Sequence, residues 1–117
     1  MSQYFPPFIR ALPAPASMFE IDAHIVPSDR VVTMFYEAHD DIEVAQHAHG
    51  AQWGVVLVGE MEMVISGESR IYRAGDTYYV PPQAEHLARL RAGYKGIDVF
   101  ADADRYVPRE DSESSDG

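Results

Sequence analysis

The chain has no cysteine. Disulfides and thiolate metal sites are therefore excluded, and any metal must be held by histidine, carboxylate, amide or water. It also lacks an excess of positive charge: 9 Lys and Arg stand against 19 Asp and Glu, a formal charge of −10. That balance argues against nucleic acid and anionic membranes as main partners. No apolar run approaches the ~18 residues of a membrane span. The opening MSQYFPPFIRALPAPASM has no basic start, and Pro6, Pro7, Pro13 and Pro15 break it, so it does not read as a signal peptide. A soluble cytoplasmic protein is the expectation. No window of about 12 residues carries a helical period, and no internal repeat is present.

What is present is a chain of 117 residues, 46% of them hydrophobic. That length favours one domain with a real core. Residues 1–17 read as an extended N-terminal arm whose Tyr4, Phe5 and Phe8 pack on the barrel or on a partner subunit. Residues 18–108 read as the folded unit. Residues 109–117, with four acids in EDSESSDG, read as a disordered, solubilising tail.

Within 18–108, short strand signals follow one another: FEIDAHIV, VVTMFYEA, EVAQHAH, WGVVLVG, EMEMVIS, SRIYRAG, DTYYVP, EHLARLRA and GIDVFA. EMEMVIS alternates cleanly, with Met61, Met63 and Ile65 on one face. Turn residues such as Gly50, Gly59, Gly67, Gly75, Pro81-Pro82 and Gly93 separate the runs. Many short strands at this spacing predict an all-β sandwich or barrel.

One stretch, HAHGAQWG over 47–54, carries chemistry. In a strand, residues two apart project from the same face, so His47 and His49 point together and can converge on one ion. A turn at Gly50-Ala51 swings Gln52 back, and its amide oxygen is a neutral ligand. His86, just beyond Pro81-Pro82, is the fourth candidate, on a strand that can lie beside the first. Three imidazoles and an amide leave a divalent ion its full charge, which makes it a strong Lewis acid. A pair of histidines alone is a common pattern without a metal; His86 is what strengthens it. His24 reads as a residue on a solvated strand face and His39 as a loop residue.

These features resemble the cupin superfamily. Its first motif is His-x-His, three or four residues, Glu, six residues, Gly. Here HAHGAQWGVVLVG supplies His47, His49, Gln52 and Gly59, with Gln for Glu, one residue fewer before it, and Asp41 at the usual leading Gly. The second motif is met in GDTYYVPPQAEHLARL by Gly75, Pro81 and His86, with Gln83 where a Gly is usual and Leu90 where an Asn is usual. The 15 residues between Gly59 and Gly75 suit a small cupin. The resemblance implies an antiparallel jelly-roll (double-stranded β-helix) barrel with one divalent transition metal inside its mouth, held by His47, His49, Gln52 and His86, and commonly a homodimer. A neutral ligand set suits Mn, Fe, Ni, Zn or Cu.

GIDVFADADRY adds a weaker echo of small cupins that open unsaturated uronate rings, which carry Asp-x-Phe followed by Arg. Asp98 and Phe100 match, and Arg105 falls one residue late. Asp98 or Tyr36 is the candidate catalytic base. By alternation Ala45 should face inward with His47, and Met34, Tyr36, Tyr78, Val80, Ala88 and Phe100 should line the interior, whereas Trp53 should point outward. Arg70, Arg73, Arg89 and Arg91 are available to an anionic substrate but read first as surface residues.

Two functions follow. One is a metalloenzyme, an isomerase, lyase or dioxygenase acting on an oxygen-rich small molecule of carbohydrate, uronate or diketone type. The other is a small-ligand-binding or sensing cupin without catalysis.

Overall fold

The computed structural model describes residues 4–18 and 20–109. The acidic tail expected over 109–117 lies, apart from Arg109, outside the described residues. Among the described residues nine strands form: β1 (Asp22–Pro27), β2 (Val32–Ala38), β3 (Ile42–His47), β4 (Gln52–Val58), β5 (Glu60–Ile65), β6 (Glu68–Arg73), β7 (Thr77–Val80), β8 (His86–Leu90) and β9 (Tyr94–Phe100). Each falls on one of the strand signals read from the sequence.

All pairings are antiparallel and build two sheets, ordered β1-β2-β9-β4-β7 and β3-β8-β5-β6. Only β1–β2 and β5–β6 are hairpins within one sheet; every other connection crosses between sheets. This is a jelly roll of two facing sheets that do not close into a continuous barrel. The alternation decides which side chains meet between them. Met34 and Tyr36 of β2, Val56 of β4, Met61 and Met63 of β5, Leu90 of β8 and Tyr94 of β9 are all buried in one cluster. Each such side chain contributes about 1.5–3 kcal/mol when fully removed from water.

Two glycine-type turns shape the ends of the sheets. Gly59 has φ +89°, and a Cβ there would stand 3.1 Å from the Tyr94 backbone. Both facts require glycine between β4 and β5. Gln83 has φ +64°, at the position where the second motif usually has glycine.

The segment before β1 carries one helical turn, Pro7–Arg10, begun by Pro at its first position. Phe5 is buried edge-on against Phe35, with ring centres 5.7 Å apart. Residues 14–16 pair with 107–109, through Ala16 N–H to Val107 O (2.8 Å) and Arg109 N–H to Ala14 O (2.7 Å). No helix among the described residues is long and apolar enough to cross a membrane.

Candidate metal centre

β3 and β8 are neighbours, and their register sets His47 directly opposite His86. The register slips between Val44 and His47, a bulge that inserts one extra residue on β3. Strict alternation therefore fails there. Val44 and His47 are half-buried and Ala45 is exposed, so Ala45 does not share the inward face expected for it. His49 lies past the end of β3, in the turn, and is 7% exposed. The turn folds it back onto the other two. Ring centres are 5.1 Å apart for His47–His49, 4.3 Å for His47–His86 and 4.8 Å for His49–His86. One ring nitrogen from each lies within 4.8 Å of the others. Two ligands of a tetrahedral ion stand about 3.4 Å apart at ~2.1 Å per bond, so a shift of about 1 Å by the rings turns this cluster into a coordination shell.

The hydrogen bonds decide which nitrogens face each other. His47 Nδ1 lies 2.8 Å from Ala45 O, His49 Nδ1 2.7 Å from Gly50 O, and His86 Nδ1 3.0 Å from Ala84 O. A carbonyl oxygen only accepts, so each Nδ1 carries the proton. In the neutral ring each Nε2 is then left with a lone pair. His49 Nε2 is buried with no hydrogen-bond partner. A buried orphaned acceptor is costly unless something positive meets it. Burial holds the His49 and His86 imidazoles below the ordinary histidine value; the carbonyl contacts oppose the shift, and the positive charge of Arg105 adds to it. Both rings stay neutral near pH 7, the form that ligates. The donor set fits a divalent transition ion.

Gln52 opens β4 and is 7% exposed. It lines the same cavity as His47 and His86. Its Nε2 donates to Asp98 Oδ2 at 2.9 Å, which leaves the amide oxygen as its other polar end. Asp98, on β9, is 4% exposed and takes two further donors, Tyr36 Oη at 3.1 Å on Oδ2 and Tyr78 Oη on Oδ1. Burial raises its carboxyl to about 6, against the pull of the three donors. Burial first, and the Asp98 charge second, push the Tyr36 and Tyr78 hydroxyls well above the ordinary phenol value. Tyr36 and Asp98, the two expected base candidates, are thus bonded to each other.

The cavity is small, about 60 Å³, room for a few water-sized groups. Its walls include Met34, Met63, Ala88 and Phe100, and Arg105 also lines it. Arg105 Nε is buried without a hydrogen-bond partner. The segment after β9 is tied to the histidine turn by Ala101 N–H to Ala51 O (2.8 Å) and Gly50 N–H to Asp102 Oδ2 (2.8 Å). That docking carries Arg105 to the site. Arg70, Arg73, Arg89 and Arg91 are all exposed, and Arg89 pairs with Glu43 and Glu62. His24 and His39 stand apart on the other side of the five-stranded sheet, flanking Asp22 at 3.5 and 3.4 Å. Trp53 points outward and is 44% exposed.

The profile described as a cupin domain matches residues 32–92. Among solved structures, an RmlC-like cupin from Shewanella frigidimarina is similar at 20% identity, covering 90% of this chain and 95% of that one, with a TM-score of 0.72. KdgF from Halomonas sp. is similar at 21% identity over 97% of this chain and 99% of that one, TM-score 0.68. An oxalate decarboxylase variant from Bacillus subtilis is similar at 20% identity over 79% of this chain but 28% of that one, TM-score 0.64. These likenesses are of fold. No curated protein matches the chain.

Proposed function

The chain belongs to the cupin domain family, and we propose that it is a metal-dependent enzyme acting on a small, oxygen-rich anion of the uronate type. His47, His49 and His86 hold the ion through Nε2, and Gln52 holds it through its amide oxygen. An ion so held, Mn, Fe, Ni, Zn or Cu, supplies Lewis acidity to an oxygen of the substrate. Arg105, whose Nε has no hydrogen-bond partner, receives the substrate's carboxylate in a charge-assisted contact. The apolar walls keep bulk water from that contact and strengthen it. The cavity admits only the chelating end of a sugar acid; the rest of the substrate sits at the mouth.

The observation that carries this reading is the set of three rings whose Nδ1 atoms are all committed to carbonyls, with one of the freed Nε2 atoms buried and orphaned. A second reading, a cupin that binds such a ligand without turning it over, draws on a different observation. Asp98 accepts from three donors, and Tyr36 spends its proton on Asp98, so neither is a ready base. The test is turnover by the metal-loaded chain, with unsaturated uronates followed by loss of the unsaturated chromophore, and diketones and catechols by oxygen uptake. Turnover abolished by chelator and restored by metal supports the enzyme. Tight uronate binding with no product from any of these substrates supports the binder.

A further inference from the structure

We propose that Asp98 is a positioning residue, and that its carboxylate is the reason position 52 is glutamine rather than glutamate. The proposal rests on the metal reading above and adds a role within it. A primary amide has the same shape either way round, with a donor at one end and an acceptor at the other. Left free, Gln52 could turn its NH2 toward the imidazole lone pairs, an arrangement that repels a cation. A carboxylate facing one end removes that choice, because an ionised carboxylate only accepts. Gln52 Nε2 is bound to Asp98 Oδ2 at 2.9 Å, so the oxygen is the end turned to the metal.

The carboxylate is itself held. Tyr36 and Tyr78 donate to its two oxygens, and the two hydroxyls lie 3.3 Å apart. The reach of Tyr78 depends on a missing side chain. Gly54 pairs with Asp98 across β4–β9 and with Tyr78 across β4–β7. A Cβ at Gly54 would collide with both the Asp98 carboxylate and the Tyr78 ring. Tyr78 therefore crosses over Gly54 to meet Asp98, and four residues fix one amide.

Glutamate at position 52 would have the same shape and no donor. Two buried carboxylates would then face each other at the 2.9 Å now spanned by a hydrogen bond. Residues 52 and 98 form a coupled pair: amide with carboxylate, or carboxylate with amide. With the two groups exchanged, the amide at position 98 donates to the carboxylate at position 52 and to the Tyr36 hydroxyl. Tyr36 then turns its own proton to Tyr78, and every polar group keeps a partner.

The experiment uses the full chain at pH 7.5 as wild type, Asp98→Asn, Gln52→Glu, the double variant, and His86→Ala as the site control. Metal-free melting is measured by calorimetry and nickel(II) binding by titration. Asp98→Asn lets the amide reverse, and nickel affinity falls 10- to 100-fold, the usual loss when an orienting partner is removed. Gln52→Glu lowers the metal-free Tm by roughly 5–10 °C. The double variant recovers that Tm, so the two substitutions are strongly non-additive. Additive Tm changes, or nickel uptake lost in His86→Ala yet indifferent to Asp98→Asn, overturn the proposal alone. A wild-type chain that takes up no nickel overturns the metal reading beneath it.

Discussion

The backbone N–H of Gln83 donates to the carbonyl oxygen of His49 across 2.7 Å. The turn that precedes β8 is thereby tied to the turn that follows β3, and His86 is delivered beside His47 and His49. Gln83 makes this bond with φ +64°, a left-handed conformation that costs a non-glycine residue about 1–2 kcal/mol. Its side chain is exposed and gives nothing evident in return. Gln83→Gly should therefore raise stability by about 0.5–1 kcal/mol, after the greater freedom of glycine in the unfolded chain is subtracted. Thermal unfolding checks this; a lower Tm would show that the glutamine side chain contributes something the geometry does not display.

Arg105→Gln should leave the fold intact, because the segment is anchored by Asp102 and Ala101 rather than by the guanidinium. Binding of a uronate, or KM if it is turned over, should weaken 10- to 100-fold, the worth of one or two charge-assisted hydrogen bonds. An unchanged affinity with unchanged Tm would remove Arg105 from the site.

Asp98 gives the metal-free chain a specific pH signature. Its carboxyl titrates near 6 when folded against an ordinary 3.8, so the folded chain binds this proton more tightly than the unfolded chain. The associated stability is fully present below about pH 4 and is lost as pH rises through about 6. The loss is about 3 kcal/mol. In chelator-treated protein, the unfolding free energy of wild type relative to Asp98→Asn should fall by about that amount between pH 4 and 7.5. A constant difference across that range would mean that Asp98 is not the buried acid described above.

Gly54→Ala tests the crossing of Tyr78 over β4. The added methyl group has no space between Asp98 and Tyr78, and the hydrogen bond between them is disturbed with it. Urea unfolding should show a loss of about 3 kcal/mol, at the upper end for overpacking. A loss below about 0.5 kcal/mol, the scale of an ordinary surface change, would contradict the packing of that row.

The strands were legible because alternation is a local property, and β8 and β9 keep it from end to end. Met61 and Met63 are buried as EMEMVIS predicts. The histidines were legible through their spacing, but not the way they meet. A bulge in β3 turns Ala45 outward, and His49 sits in a turn rather than on the strand face; neither leaves a mark in HAHGAQ. Arg105 was only faintly legible, as an arginine one residue late in a motif echo. Its position depends on contacts between Asp102 and Gly50 and between Ala101 and Ala51, residues half the chain apart, while the four arginines on β6, β8 and the turn after β8 face solvent. The Gln52–Asp98 bond was hidden for the same reason. Gln for Glu stood in the sequence as a departure, and its explanation lay 46 residues further on.

The central claim is that His47, His49 and His86, with Gln52, bind one divalent ion. Elemental analysis of the full chain, purified without added metal, tests it most directly when run beside His86→Ala. The account predicts about one transition-metal ion per wild-type chain and almost none in a variant that still folds. A folded wild type free of metal that takes none up from added Mn, Fe, Ni, Zn or Cu would contradict it, as would a His86→Ala chain that retains its full complement.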